Sequence, residues 1–374
     1  MPTICLDCRY IAPRQSGIGA RVRALVDLLP GLAPDLRFLL LRNARLEGRL
    51  TGAPNVAEIP VSVAANGPLS LLALARLVDL RGVDLFHAPA NTLPHGLRMP
   101  CVTTIHDVMW LTDPSLCNDR AWGLVERRFY SHGMRHALRR SREIITVSSA
   151  TREAIGRLVP DLQTRVTPIL SGVEREFSPG GFDVAQRERL GLSGRRYVLS
   201  VGQYAPYKNH EGAIAAFARA FAERPDIDHV LVQRRGPSAD RLEVLADSLG
   251  VGGRVRIVRE VGADQLVGLY RGAELLLHPS LCEGFGNPVA EAMACGCPVL
   301  TSNLSAMPEV AGGAAMLADP RDVAELATKM RAIVDDPGTA ADLRLSGLER
   351  AKQLDWVTCA REVLEVYRRV LNGR

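Results

Sequence analysis

The sequence lacks any long apolar run. No stretch approaches the ~20 consecutive apolar residues that a membrane-spanning helix needs, and the best candidate, PLSLLALARLVDL, is interrupted by Arg76 and Asp79. The first ten residues, MPTICLDCRY, also lack the basic start and apolar core of a secretion signal. We therefore expect a cytoplasmic protein rather than a secreted or membrane-spanning one.

Aromatic residues and surplus charge are also scarce. Phe, Trp and Tyr make up 5% of the 374 residues, and the formal net charge is +5. Because proteins bind single-stranded nucleic acid by stacking bases on aromatic rings beside a strongly basic groove, this composition argues against nucleic acid. A mild basic excess instead suits an anionic ligand or an anionic membrane surface.

The eight cysteines do not form a disulfide or zinc pattern. Cys5 and Cys8 make a CxxC, but no second pair stands at the spacing of zinc ligands, and Cys295 and Cys297 are too close together to complete a usual site. We expect free thiols, with Cys5 and Cys8 in a first buried strand and its exit.

Short apolar runs rich in β-branched residues alternate with longer helical patterns. The strand candidates before residue 171 are TICLD, LRFLLL, DLFHA, VTTIHD and EIITVS, and those after residue 196 are YVLSVG, HVLVQ, VRIV, ELLLHPS and PVLTS. Because these runs are apolar throughout, they are typical of parallel strands covered on both faces. The sequence predicts an α/β fold with two doubly wound, Rossmann-like domains and a ligand site in the cleft between them.

The domain boundaries follow from one break in this alternation. The segment SGVEREFSPGGFDVAQRERLGLSGRR is rich in Gly, Pro, Ser and charge, which favours an inter-domain linker. We expect a first domain over residues 1–172, a linker over 173–196 and a second domain over 197–355. Residues 356–374 contain an amphipathic helical pattern, and we expect this helix to pack back on the first domain.

One segment, HPSLCEGFGNPVAEAMACGCPVL, holds two carboxylates among small and apolar residues. It predicts a strand, a glycine-rich loop and a helix. Asn287 is a preferred N-cap, Pro288 a preferred first helical residue, and Gly296 a typical helix stop. We expect Glu291 in the first turn of this helix, where the helix dipole favours a carboxylate.

The turn between the two carboxylates is a candidate phosphate site. It presents the backbone N–H groups of Phe285, Gly286 and Asn287 at a helix N-terminus. Carboxylates do not bind phosphate, but they accept hydrogen bonds from sugar hydroxyls. Glu283 and Glu291 on either side of such a turn therefore indicate a nucleotide-sugar, with ribose on one carboxylate, diphosphate on the amides and sugar on the other.

The motif E-G-F-G-N-P-x-x-E, followed by AMACGCPVLTSNLSAMPEVAGGAAMLADP, resembles the E-x7-E motif of the retaining glycosyltransferases known as family 4 or group 1. Further segments match the same family, namely SGIG, VTTIHD, VTPILSGVEREFSP and SVGQYAPYKNHEGAIAAF. The resemblance implies a GT-B fold in which the first domain binds the acceptor and the second binds the nucleotide-sugar donor. The pattern is most similar to a mannosyltransferase-like branch, which implies GDP-mannose.

The resemblance also implies roles for individual residues. The catalytic residues would be Glu283 at the donor sugar, His106 near the developing positive charge, and Lys208 at the leaving diphosphate. Glu291 would bind the ribose. The remaining donor-binding residues would be Phe285, Gly286, Asn287, Gly17, Gly19, Gly202 and Gln203.

One position departs from the family pattern. Many relatives carry an arginine directly after the glycine of VG, where this chain has Gln203, and Tyr207 precedes the lysine. We hypothesise that Arg234 or Arg235, in the unusual turn VLVQRRGP, reaches the diphosphate instead. A solvated arginine pair is the alternative.

The acceptor side is less defined by sequence. His87 and Asp107 end strand candidates and are candidate acceptor residues, although His87 is equally compatible with core packing. The basic segment RAWGLVERRFYSHGMRHALRRSR either lies on an anionic membrane, as a lipid-linked acceptor would require, or forms a solvated helix.

The function implied is transfer of a hexose, best matched by mannose, from a nucleoside diphosphate sugar to a hydroxyl of a saccharide or lipid-linked saccharide, in cell-surface polysaccharide or glycolipid synthesis. Retention would come from reaction on one face of the sugar. We expect no cofactor and no metal, since Asp226 and Asp228, although of DxD form, stand where turn chemistry explains them. A UDP-sugar transferase, a non-catalytic nucleotide-sugar-binding protein and an epimerase are alternatives; a dehydrogenase is disfavoured because GIGARV lacks the third glycine of GxGxxG.

Overall fold

The computed structural model describes residues 1–12, 16–117, 123–233, 237–259 and 261–373, and at positions 123, 124 and 237–239 it describes the backbone alone. The chain forms two compact units. The first contains Met1–Pro114, Arg120–Gly172 and Asp355–Arg374, and the second contains Ser115–Asp119 and Val173–Leu354.

The first unit is built on a parallel sheet of seven strands within the described residues, in the order β3-β2-β1-β4-β5-β6-β7. The central strands are buried on both faces, as their apolar runs predict. Cys5 and Cys8 lie buried in β1 and just after it, as expected. The strands are β1 (Thr3–Asp7), β2 (Arg37–Asn43), β3 (Val56–Val61), β4 (Leu85–Ala88), β5 (Cys101–Ile105), β6 (Glu143–Thr146) and β7 (Val166–Pro168).

The helices of the chain up to β7 alternate with these strands or follow β5. They are α1 (Gly17–Leu32), α2 (Pro68–Leu77), α3 (Met109–Thr112), α4 (Pro114–Cys117), α5 (Gly123–Arg140) and α6 (Ser149–Leu158), with a 3-10 turn at Pro160–Arg165. No helix in the described ranges is both long and apolar enough to cross a membrane.

The second unit is built on a parallel sheet of six strands within the described residues, in the order β10-β9-β8-β11-β12-β13. This order reverses between β8 and β11, so the loops that leave these two strands start side by side at the carboxyl edge of the sheet. The strands are β8 (Arg196–Val201), β9 (Ile227–Gln233), β10 (Val255–Arg259), β11 (Leu275–His278), β12 (Val299–Ser302) and β13 (Met316–Ala318).

The helices of the second unit follow the same alternation. One of them, α7, lies inside the segment predicted as a linker. They are α7 (Val184–Arg189), α8 (His210–Phe221), α9 (Pro237–Ser248), α10 (Ala263–Gly272), α11 (Asn287–Ala294), α12 (Met307–Ala311), α13 (Val323–Asp335) and α14 (Pro337–Gln353), with 3-10 turns at Pro206–Lys208 and Gly252–Arg254.

The last helix, α15 (Trp356–Asn372), belongs to the first unit. Its N-terminus is capped by the Asp355 carboxylate, which accepts a hydrogen bond from the Thr358 N–H at 2.9 Å. Its apolar face joins the core that α1 also lines, and there the Tyr367 ring is fully buried. The prediction that this helix packs back on the first domain is therefore confirmed.

Candidate active site

Two loops of the second unit meet at the carboxyl edge of its sheet. The loop after β8 carries Lys208, and the loop after β11 carries Glu283. They are tied together because the Leu281 N–H donates to the Tyr207 carbonyl at 2.7 Å. The strand order thus brings together two residues that are 75 positions apart in sequence.

Glu283 is the centre of a buried polar cluster, with a side chain that is 9% exposed. Its Oε1 accepts hydrogen bonds from Lys208 Nζ at 2.5 Å, from His278 Nε2 at 3.0 Å and from the Ser280 hydroxyl at 3.0 Å. Burial alone would raise the pKa of Glu283, but the Lys208 charge and the His278 hydrogen bond outweigh it and lower this pKa to about 2. Glu283 is therefore a carboxylate at neutral pH.

The other oxygen of this carboxylate has no such partner. Across the part of the chain that the structure describes, no side chain or backbone group donates to Glu283 Oε2. The Glu283 backbone is fixed separately, since its N–H donates to the Ser305 hydroxyl at 2.9 Å. A rigidly held carboxylate with one unused acceptor oxygen suits recognition of a hydroxyl.

Lys208 is held in place by the local backbone. It ends the 3-10 turn, and Asn209 follows it in the left-handed region at φ 54°. The Asn209 amide donates to the carbonyls of Pro279 at 3.2 Å and Pro320 at 2.7 Å, which fixes this unusual conformation. The Lys208 ammonium lies 5.0 Å from the centroid of the Tyr207 ring. It is oriented by a carboxylate and an aromatic ring, and it keeps further N–H donors for a ligand.

Glu291 is in a different electrostatic environment. Its Oε2 accepts a hydrogen bond from the Tyr270 hydroxyl at 2.7 Å. Burial raises the pKa of Glu291 to about 7, although the Tyr270 bond and the Lys208 charge both oppose the rise and the Glu174 charge adds to it. Lys208 therefore acts electrostatically on both carboxylates of the motif, which are ionised over different pH ranges.

The turn between the carboxylates differs from the prediction by one residue. α11 begins at Asn287, and Gly286 takes the N-cap position at φ 93°, so the assignment of Asn287 as N-cap is wrong. Glu291 accordingly lies in the second turn rather than the first. The stop at Gly296 is confirmed, since this residue adopts φ 74° directly after the cap residue Cys295.

The backbone N–H groups of this turn remain available. Among the described residues, none accepts a hydrogen bond from the N–H of Phe285, Gly286 or Asn287. An eight-residue helix with unused N–H groups at its start attracts an anion.

Substitution of Gly286 tests whether this turn needs a glycine. A Cβ at Gly286 would lie 2.3 Å from Cε of the buried Met307, whereas Gly313 has φ 83° and open space around it. Gly313→Ala should cost about 1–2 kcal/mol of unfolding free energy for its left-handed backbone. Gly286→Ala should cost about 1 kcal/mol or more beyond that, because Met307 must also shift. Urea unfolding of both variants checks this, and equal losses would contradict it.

The first unit holds the other predicted catalytic residue, His106. It follows β5, its backbone N–H donates to Asn91 Oδ1 at 2.7 Å, and its Nε2 donates to the Pro89 carbonyl at 2.9 Å. Burial lowers the pKa of His106 to about 4, against the opposing effect of the Pro89 bond. His106 is thus a neutral, oriented imidazole whose role stays a prediction.

The two predicted acceptor residues have structural partners. Asp107 Oδ1 accepts a hydrogen bond from the Met109 N–H at 3.1 Å, which starts α3. His87 is completely buried, with Nδ1 2.6 Å from the Tyr367 hydroxyl and Nε2 2.9 Å from Thr104 Oγ1. This is the arrangement of the packing histidine that the sequence left open.

The predicted donor residues Gly17 and Gly19 lie in the first turn of α1. α1 begins at Gly17, and the Ser16 hydroxyl caps it by accepting from the Gly19 N–H at 3.1 Å. A Cβ at Gly19 would lie 2.8 Å from the Tyr10 carbonyl oxygen, so the close approach of Tyr10 requires glycine here.

Four predicted donor residues remain. Gly202 adopts φ 154°, and a Cβ there would lie 3.4 Å from Cδ and Cε of Lys208, while Gln203 follows it. Arg234 and Arg235 lie outside the described residues, so the hypothesis that one of them replaces the missing arginine stays a prediction.

The DxD-like pair was expected in a turn, but Asp228 is a buried residue of β9. Its carboxylate accepts hydrogen bonds from Arg195 at 2.5 Å and from Arg256 at 2.6 Å. Two guanidinium groups thus neutralise the aspartate that the pattern offered as a metal ligand.

Sequence reasoning missed four residues that complete the site: His278, Ser280, Tyr270 and Ser305. His278 and Ser280 stand within five residues of Glu283, so the polar residues of HPSLCE were a usable signal. Tyr270 lies 21 residues from its partner Glu291, and Ser305 lies 22 residues from its partner Glu283. No local sequence pattern indicated either residue.

The fold is similar to that of proteins with solved structures. Sucrose-phosphate synthase from Thermosynechococcus elongatus has the same fold at a TM-score of 0.78 with 22% identity, covering 100% of both chains. The Anabaena protein HepE, solved in complex with UDP and glucose, superposes at a TM-score of 0.74 with 19% identity over 98% of this chain and 100% of that one. Both likenesses support the GT-B fold predicted from the sequence.

The family follows from sequence similarity. The model of the glycosyl transferases group 1 matches residues 184–350. O-antigen chain mannosyltransferase B of Escherichia coli is 31% identical over 290 residues, which cover 76% of this chain and 74% of that protein. Several further relatives match over only about half of their own length. The chain belongs to the group 1 glycosyltransferases, a family of retaining hexosyltransferases, as the E-x7-E motif predicted.

Proposed function

We propose that this glycosyltransferase moves a hexose, with mannose favoured, from a nucleoside diphosphate sugar to a hydroxyl of a saccharide or lipid-linked saccharide. The product would belong to cell-surface polysaccharide or glycolipid synthesis, with the enzyme acting on the cytoplasmic side. The similarity to an O-antigen mannosyltransferase supports the choice of mannose and of a polysaccharide. The observation that carries the proposal is the cluster of Lys208 and Glu283 beside the unused amides of the α11 turn.

The donor is assigned to the second unit, residue by residue. The ribose hydroxyls would donate to Glu291, and a hydroxyl of the sugar would donate to the unused Oε2 of Glu283. The diphosphate would accept hydrogen bonds from the amides of Phe285, Gly286 and Asn287 and from Lys208. The acceptor is assigned to the first unit, where His106 would approach the sugar.

The chemistry would depend on stabilising the leaving diphosphate. Lys208 already donates one N–H to Glu283 and has others to neutralise charge as the glycosidic bond breaks. Glu283 is a poor candidate for a covalent nucleophile, because three hydrogen bonds to Oε1 stabilise its charge and weaken its nucleophilicity. We therefore propose front-face transfer, with the diphosphate accepting the acceptor proton and with no divalent metal.

A thermal-shift panel of nucleotide-sugars tests this assignment. GDP-mannose at about 100 times its dissociation constant should stabilise the fold by about 2.7 kcal/mol. Stabilisation by UDP-sugars instead would replace GDP-mannose and keep the transferase proposal. If no nucleotide-sugar raises the melting temperature, the proposed donor site is wrong.

Catalysis is tested separately from binding. Incubation with the stabilising donor should release nucleoside diphosphate slowly by hydrolysis in the absence of acceptor, and addition of chelator should leave the rate unchanged. A donor that binds but is never cleaved, with or without saccharide acceptors, would favour the non-catalytic binding protein.

A further inference from the structure

The first unit contains a cavity of about 360 Å³ between α3 and α5. Four guanidinium side chains line it, from Arg127, Arg128, Arg135 and Arg139 of α5, together with His132 and Trp110. None of these residues belongs to the proposed donor site, which lies in the second unit. The cavity is thus separate from the proposed donor site.

The helical spacing concentrates this charge. Arg128, His132, Arg135 and Arg139 follow one another at intervals of three and four residues, so they share one face of α5. Like charges at this spacing destabilise an isolated helix. The only acidic residue of α5 is Glu126, which does not line the cavity.

Within the described residues, the arginines of the cavity have no anionic partner. Among the described residues, no carboxylate lies within 4.0 Å of any of the four guanidinium groups. The Arg139 Nε–H donates only to the Arg135 carbonyl, at 3.2 Å. Other arginines of this protein do pair with acids, as Arg23 does with Asp27 at 2.7 Å, but what distinguishes the cavity is that four such side chains line one space.

The walls of the cavity are held by packing. The Ser131 hydroxyl donates to the Trp110 carbonyl at 2.8 Å, and the Trp110 ring stacks on Tyr130 with centroids 5.1 Å apart. On the opposite face of α5, Met134 and Ala137 are completely buried. The arginines therefore project from a helix that is anchored on two sides.

We propose that this cavity binds a phosphate or diphosphate group of a second ligand. Guanidinium groups bind phosphate oxygens in bidentate geometry, and several together match a group that carries two or more negative charges. A single carboxylate would leave most of this charge uncompensated. The inference does not depend on the identity of the donor, because it rests on residues of the first unit alone.

Such a group has two sources, a free phosphorylated molecule or a phosphate-bearing lipid headgroup. The lipid source is worth testing because α2, the helix that packs beside α5, exposes apolar side chains. α2 packs its Leu71 towards Gly133 of α5, while Leu69 and Leu72 on the same helix are 62% and 60% exposed.

Calorimetric titration of the full chain with inorganic pyrophosphate tests the site. The double variant Arg128→Gln/Arg135→Gln should bind pyrophosphate at this site about tenfold more weakly or worse, since each lost contact to a charged group removes a strong hydrogen bond. The matched control, Arg157→Gln/Arg361→Gln, removes the same charge from exposed positions of the first unit and should bind as the wild type does. Equal affinity in the two double variants would overturn the proposal.

Pyrophosphate should also bind the proposed donor site. The variant Lys208→Gln distinguishes binding at the donor site from binding at the arginine-lined cavity. If the donor assignment is right, Lys208→Gln loses one class of binding and keeps the class that depends on Arg128 and Arg135. If only the arginine-dependent class exists in the wild type, the donor assignment fails and the present inference stands.

Vesicle sedimentation identifies the source. Phosphatidylcholine vesicles containing phosphatidic acid offer a phosphate monoester, and those containing phosphatidylglycerol offer only a phosphodiester. Arginine-dependent preference for phosphatidic acid would assign a lipid headgroup, and pyrophosphate binding without vesicle binding would assign a free ligand. Arginine-independent binding in both assays would contradict the site.

Discussion

Glu283→Gln is expected to lower turnover by about 10²–10³-fold, the loss typical of removing one preorganised electrostatic contact at a reacting centre. The amide can still accept a hydrogen bond from Lys208, so the loop should keep its conformation. It has no negative charge, however, to orient the ammonium or to stabilise positive charge on the donor sugar. Steady-state kinetics with the donor found by thermal shift measures the effect.

Glu274→Gln supplies the control for this experiment. Glu274 directly precedes the same strand, β11, and pairs with Arg196 at 3.0 Å, so its replacement also removes an ion pair of the second unit. It should leave turnover unchanged. Full turnover in Glu283→Gln, or an equal loss in both variants, would contradict the role assigned to Glu283.

Donor affinity is expected to rise by about tenfold between about pH 6 and about pH 8, because Glu291 ionises in this range. The carboxylate is a stronger acceptor for ribose hydroxyls than the neutral acid. The same shift has the opposite effect on stability: the pKa of Glu291 is raised on folding from 4.5 to about 7, so the free energy of unfolding falls as pH rises through this interval. Calorimetric titration with the donor across this pH range measures the affinity.

Two variants of the Tyr270–Glu291 hydrogen bond test whether Glu291 is the group that titrates. Glu291→Gln should bind the donor weakly and without this pH dependence. Tyr270→Phe removes the hydrogen bond that lowers the pKa of Glu291 and should move the midpoint to higher pH. A midpoint that stays in place in Tyr270→Phe would mean that another group titrates.

The architecture could be predicted because its strands are covered on both faces. Runs such as ELLLHPS are apolar from end to end, and a local pattern of this kind identifies a buried parallel strand without knowledge of its neighbours. The start of α11 was harder, since Asn287 and Gly286 are both acceptable caps. A Cβ at position 286 would collide with the buried Met307, which is distant in sequence, so this position with its positive φ favours glycine.

The candidate site could be predicted only in part for a related reason. Glu283 and Glu291 were visible because they are close in sequence. Their partners Lys208 and Tyr270 arrive through the strand order and the packing of α10, which local patterns do not encode. His87 illustrates the limit of local sequence patterns. Its hydrogen-bond partner, the Tyr367 hydroxyl, belongs to a residue 280 positions further along the chain.

The return of α15 to the first unit sets an order of folding during synthesis. Residues 173–354 are contiguous apart from a short segment near α4, so the second unit can close soon after it leaves the ribosome. The first unit is translated earlier, but its core cannot be completed until Tyr367 and the rest of α15 have been made. The half of the protein that is made first is therefore completed last, and a nascent chain arrested before residue 355 should expose the apolar surface of α1 to chaperones.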